Sequence, residues 1–273
     1  MAYSEALSTK TVAISVSDSA DLGALGMGAA HLQDAMAELA RHVLALGARV
    51  AYGGDLRAGG FTEILFELVS RHRRDADEGD KRTPVVSYLA WPVHILKPYA
   101  ELRDLRRDLD SFATLELLDN YGESLAAAER AKLDARQPSL EEWSTGLTAM
   151  RHRMNAEAHA RIIVGGQISG YKGAMPGLAE EALLAIEAGR PLFVLGGFGG
   201  CAADIASTMG LCEQPAIPAR DWERRGDFAG ADTGTLSNGL DETDNRTLAR
   251  TPHVDEAVAL VLKGLLRLEG ART

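Results

Sequence analysis

At 273 residues the chain is long for one domain, yet a single large α/β core can fill that length. Its 46% hydrophobic and 25% charged residues argue for a folded globular protein and against disorder. A net charge of −10 argues against a surface that coats nucleic acid, because neutralising phosphates takes clustered Lys and Arg. The opening MAYSEALSTK has neither the basic start nor the apolar core of a secretory signal. No run reaches the ~18 apolar residues of a membrane span, so a cytoplasmic protein without membrane or nucleic-acid partners is expected. Cys201 and Cys212 are the only cysteines and have no histidine at metal-site spacing, so buried thiols and no metal are expected.

In chain order, TVAISVS (11–17) reads as a strand and Ala29 to Leu46 as an amphipathic helix closed by Gly47. RVAY (49–52) is a strand ending in Gly53-Gly54, and a helix runs from about Phe61 to Arg73. DADEGDKR (75–82) is a solvated loop, and PVVSYLAWP (84–92) a buried strand bounded by prolines. Thr114 to Asn120 reads as a strand and Glu123 to Arg136 as a helix. Ser139 and Glu142 have the spacing of a capping box that opens a long helix to about His159.

The rhythm then repeats: strand Arg161 to Val164, glycine-rich turn Gly165 to Gly177, helix Leu178 to Gly189, strand Pro191 to Gly197, short helix CAADIASTMG. Residues 213–250 are polar and read as a surface excursion, and a last helix begins near Asp255. Alternating strands and helices of these lengths imply a Rossmann-like, doubly wound, mostly parallel sheet with helices on both faces. One domain over 1–273 is expected, with an insertion around 98–140.

Three strands end in paired glycines: Gly53-Gly54, Gly165-Gly166 and Gly196-Gly197. In an open parallel sheet the carboxyl ends of the strands share one edge, where ligands bind, so three such turns are expected to converge on one site. Glycine admits a ligand close to the backbone, and the N–H groups of the following helix attract phosphate. The spacing is neither a Walker A loop nor a strict GxGxxG fingerprint, which disfavours a P-loop ATPase or a nicotinamide dehydrogenase.

GARVAYGGDLRAGGFTEILFELV (47–69) resembles the first glycine motif of the SLOG superfamily, which includes the Lonely Guy phosphoribohydrolases once labelled lysine decarboxylases. ISVSDS (14–19) is similar to that family's opening. MRHRMNAEAHARIIVGG (150–166) followed by PGLAEEALLAI (176–186) resembles its arginine helix, its PGG turn and its paired glutamates. The likeness covers roughly 11–70 and 145–205. This chain departs from the pattern in two places: QISGYKGAM (167–175) stands between the strand-end glycines and the proline, and the spacing from the arginine to the strand is shorter. Either Arg151 or Arg153 matches the family's arginine.

The resemblance implies a site for a small nucleotide or a nucleotide sugar, with no resident cofactor. The expected catalytic residues are Glu180, Glu181, Arg151 and Arg153. The expected ligand-binding residues from the first half are Ser17, Ser19, Gly53, Gly54, Asp55, Arg57, Gly59, Gly60 and Thr62. Those from the second half are Gly165, Gly166, Lys172, Gly173, Pro176, Gly177, Gly196 and Gly197.

Chemistry assigns roles independently. Asp55 suits a ribose diol, and Ser17 and Ser19 suit ribose or phosphate, or else the backbone of their own turn. An arginine offers bidentate pairing to phosphate. A glutamate can bind a ribose hydroxyl or stabilise an oxocarbenium-like charge during N-glycosidic cleavage. Pro176 suits a first helical position, and glutamates in a first turn complement the helix dipole without any ligand. Trp91 and Trp143 read as packing residues, with Trp91 placed to stack on a base.

Three functions follow: a nucleotide N-glycosidase or phosphoribohydrolase, a sensor that binds an NAD- or ADP-ribose-type signal and works with an effector protein, or a carrier of a phosphorylated cofactor. Homo-oligomers are common among the proteins it resembles.

Overall fold

In a computed structural model the described residues are 5–56, 60–74, 83–109, 113–213 and 215–271. The loop 75–82 lies outside them. Six parallel strands form one sheet: β1 (Thr11–Ser17), β2 (Arg49–Gly53), β3 (Val85–Leu89), β4 (Ala113–Leu117), β5 (Ala160–Gly165) and β6 (Leu192–Leu195). Their order is β4-β3-β2-β1-β5-β6, all parallel. The chain winds out through β2 and β3 to the edge strand β4, then returns to the other side of β1. The topological switch, where such sheets open a crevice, is therefore between β1 and β5.

The helices are α1 (Ala29–Ala45), α2 (Phe61–Arg74), α3 (Trp91–His94), α4 (Tyr99–Leu109), α5 (Ala127–Arg130), α6 (Leu140–Glu157), α7 (Gly177–Glu187), α8 (Gly200–Thr208), α9 (Glu242–Leu248) and α10 (Val254–Gly270). Alternation along β1 divides them between two layers. Val12, Ile14 and Val16 pack with α1, α2 and α10. On the opposite face Ala13 and Ala51 let Met150 and Met154 of α6 approach. Farther along that face, Ile163 and Val194 meet the apolar sides of α7 and α8.

One expectation fails. Of the helix foreseen over Glu123 to Arg136 only the single turn α5 forms, and Ser124 instead bridges antiparallel to Leu118. Asp119 is the reason at the start, since its Oδ1 accepts the N–H groups of Tyr121 and Glu123 in a turn where Gly122 has φ +87°. At the other end, the wholly buried Arg130 donates to the carbonyls of Leu133, His94 and Lys97. These bonds outweigh the helix propensity of the alanine run.

The segment 215–250 covers the open edge of β6. Leu192 N–H donates to Leu236 O at 2.9 Å and Asn238 donates to Leu192 O at 2.8 Å, while Trp222, Phe228 and Leu236 are buried. Pairing of this kind removes the exposed donors and acceptors of an edge strand.

Candidate functional site

A cleft of about 590 Å³ opens at the carboxyl edge of the sheet, beside the switch point. Its floor is the end of β1, Ser15 to Ser17. One wall is the turn Gly53 to Leu56 and the opposite wall comes from 167–178. Helix α6 closes it, presenting Trp143, Leu147, Met150 and Arg151 on one face, four and three residues apart as helical periodicity requires. That helix starts where the capping box places it: Ser139 Oγ accepts from Glu142 N–H and Glu142 accepts from Ser139 N–H.

Arg151 and the two glutamates form the charged end of the cleft. The Arg151 guanidinium lies across the start of α7, where a Cβ on Gly177 would overlap its Nη2. A cation beside a helix N-terminus opposes the dipole, and nearby carboxylates offset this. Arg151 Nη1 donates to Glu180, whose other oxygen accepts from Thr148 Oγ1 at 2.5 Å. Glu181 lines the cleft. Its Oε2 accepts from Ser15 Oγ and, at 2.8 Å, from Arg161 Nη1, and its Oε1 stands 3.6 Å from Arg151 Nε.

Arg161 is the residue that reading for motifs passes over. It sits in β5 with 0% exposure, and its Nη1 also donates to Ser15 Oγ at 2.7 Å. Burial lowers its pKa from the ordinary arginine value, against the opposing pull of Glu181. The signal was present: an arginine inside the apolar strand ARIIVG must have a buried partner.

The SLOG cluster2 family model matches residues 6–231. The chain belongs to the SLOG family. A search of curated proteins finds no significant match. SLOG domains generally bind nucleotide-type ligands, and the cleft lies inside the matched region. No helix among the described residues is long and apolar enough to cross a membrane.

In this SLOG chain the foreseen residues fall into distinct places. Ser17, Gly53, Gly54, Asp55, Lys172 and Gly177 join Arg151 and Glu181 on the cleft wall. Ser17 Oγ accepts from Gln167 N–H at 3.2 Å, so it also holds the opposite wall. Gly173 lies within 3.7 Å of Arg151 and Glu180, measured from the position its Cβ would take. Pro176 is the N-cap of α7, which puts Gly177 at the first helical position expected for the proline. Thr62 is buried under Gly54, and Gly60 precedes α2, accepting from Glu63 N–H. Arg57 and Gly59 lie outside the described residues.

Other residues are not brought to the cleft. Arg153 points away and pairs with Glu157 at 2.9 Å beside a separate shallow groove. Of the two arginines matched to the family's helix, Arg151 is therefore the one at the site. Ser19 is buried near the start of α8, accepting from Asp21 N–H. Asp21 in turn caps that helix by accepting Gly200 N–H at 2.6 Å and receives Arg220 at 2.6 and 2.7 Å. The start of α8, a natural place for phosphate, is occupied by the protein's own carboxylate.

Gly165 and Gly166 have φ of +68° and +105°, and a Cβ there would lie 2.6 Å from Ser17 O and 2.8 Å from the Cys201 Cβ. Both serve a left-handed turn packed on β1 and α8. Gly196 and Gly197 face the backbone of 249–251 and a different hollow.

Trp91 is held by Glu142 at 3.0 Å and set edge-on to His94, so it is not the aromatic group at the cleft. Trp143 lines the cleft together with Tyr52 and Tyr171, and Lys172 Nζ lies 3.3 Å from the Trp143 ring centroid. Cys201 is buried, and burial raises its thiol pKa. Among the described residues no group of three or more His, Cys, Asp or Glu side chains is arranged to hold a metal ion.

Proposed function

We propose that the chain binds a nucleotide or an NAD- or ADP-ribose-type ligand in this cleft and hydrolyses its N-glycosidic bond. The observation that supports this reading is the convergence of Arg151, the start of α7 and Glu181 at one end of the cleft. The phosphate pairs with Arg151 and the N-terminal end of α7. The turn Gly53 to Asp55 lets the ribose approach the backbone, with the Asp55 carboxylate at its hydroxyls.

Glu181 then lies beside the sugar. Its Oε2 is committed to Arg161 and Ser15, which fixes the carboxylate so that its negative charge faces the cationic C1′ of an oxocarbenium-like transition state. Water adds its oxygen to C1′ as the C1′–N bond breaks and the bond's electron pair leaves with the base nitrogen; the proton that the water loses ends on the base when adenine leaves, and in solvent when the cationic nicotinamide ring leaves as a neutral one.

A sensor that binds without turnover is the second reading. It is favoured by the engagement of Glu180 with both Arg151 and Thr148, which leaves this glutamate off the cleft wall. Incubation with AMP, NAD and ADP-ribose followed by chromatography separates the two. Release of free base, lost in Glu181→Gln, is the enzyme result. No cleavage together with a melting temperature that rises with ligand concentration is the sensor result. Neither cleavage nor a shift with any of the three refutes nucleotide binding.

A further inference from the structure

The insertion QISGYKGAM (167–175), which separates the strand-end glycines from the Pro-Gly turn, sets Lys172 on the face of Trp143 in the cleft. Trp143 and Arg151 share one face of α6, eight residues apart, so their Cα atoms are about 12 Å apart along the helix axis. The cleft lining includes the apolar Val93, Leu96 and Leu147, whereas Arg151 itself stands against the carboxylates of Glu180 and Glu181. A ligand that satisfies both ends has a flat aromatic group at one end and an anion at the other.

Resting on the nucleotide reading above, we infer that Trp143 is the platform for the ligand's base, with Lys172 occupying the indole face until a base replaces it and then moving to the phosphates. An ammonium over an indole is held by the ring quadrupole, and a nucleobase makes a larger contact with the same face. The structural insertion thus selects a complete nucleotide over a bare sugar phosphate, which reaches Arg151 but not the platform. Trp91 is fixed by Glu142 and Trp222 is buried with its Nε1 donating to Asp204 at 3.1 Å, so a base entering the cleft alters the emission of Trp143.

The test titrates the purified chain with AMP, ADP-ribose and ribose 5-phosphate, following both tryptophan emission and heat of binding. Expected are quenching by the two base-containing ligands, none by ribose 5-phosphate, and weaker binding of ribose 5-phosphate than of AMP. Trp143→Leu should weaken AMP and ADP-ribose by about tenfold to a hundredfold and leave ribose 5-phosphate unchanged. Trp143→Phe, which keeps an aromatic face, should stay within severalfold of wild type while losing the emission change. AMP binding as tight in Trp143→Leu as in wild type, with Arg151→Met abolishing it, overturns the platform and leaves nucleotide binding intact. No binding of any ligand by the wild type overturns both.

Discussion

Replacing Glu181 by Gln changes one atom and keeps the shape, but in this fold it removes the charge partner of a guanidinium with 0% exposure. Arg161 retains a neutral acceptor and Ser15 Oγ at 2.7 Å, while its Nε and Nη2 have no hydrogen-bond partner to compensate. Breaking a buried pair from one side costs about 3–5 kcal/mol. Because Gln still accepts a hydrogen bond, the lower end applies, about 3 kcal/mol, or a fall of roughly 6–12 °C in melting temperature.

Arg161→Met should cost less. The carboxylate it strands retains Ser15 and an Arg151 nitrogen at 3.6 Å, and its side chain is 11% exposed. The double variant should lose less than the sum of the singles, by about 1–3 kcal/mol. Urea unfolding of the three variants and wild type measures all four corners. A Glu181→Gln protein within about 0.5 kcal/mol of wild type would refute the reasoning, because that is the range of a surface substitution. The cycle also bears on catalysis: loss of turnover in Glu181→Gln counts against the glutamate only when measured well below the variant's melting point.

His94 is buried, its Nε2 against Leu118 O at 2.7 Å and its Nδ1 accepting from Arg130 Nε, and burial lowers its pKa from 6.5 to about 4. The unfolded chain therefore binds the extra proton first. Stability is fully present above pH 6.5 and falls by about 3 kcal/mol as pH drops to about 4, a fall that His94→Asn should flatten in urea titrations at several pH values. Parallel profiles for the two proteins would contradict this. Gly197→Ala drives a methyl group into Thr251 O and should destabilise by about 1–3 kcal/mol without changing the affinity of the folded protein for ADP-ribose. Gly177→Ala meets the Arg151 guanidinium instead, and should weaken ADP-ribose about tenfold or more with a smaller drop in melting temperature. Equal effects of the two alanines on affinity would undo the distinction between these glycines.

Most of the sheet was legible because buried parallel strands are short apolar runs closed by glycine or proline, as TVAISVS and RIIV show. What local pattern could not show was where a charged side chain would be buried. Glu123 to Arg136 has helical composition, and besides the Asp119 turn at its start it is the burial of Arg130 against three carbonyls, two of them more than thirty residues away, that prevents the helix. Residues 213–250 looked like surface because they are polar. Among their apolar members, Trp222, Phe228 and Leu236 pack with α7, α8 and β6, which only the fold brings beside them.

The site divides along the same line. The three glycine pairs look alike in sequence, each following a strand, yet only the first borders the cleft. The third faces residues 249–251, more than fifty positions downstream, and that contact leaves no trace in the local pattern. The reading of Trp143 as a packing residue left a periodic signal unused: Trp143, Leu147 and Arg151 recur every four residues in a capped helix, so a cleft that takes Arg151 takes Trp143 too. Trp91 lies outside that helix and carries no such phase. The insertion at 167–175 had the appearance of damage to a family motif. Its Lys172 on Trp143 makes it instead the part of the cleft in which this chain differs from the motif it resembles, and hence the place to look for its ligand preference.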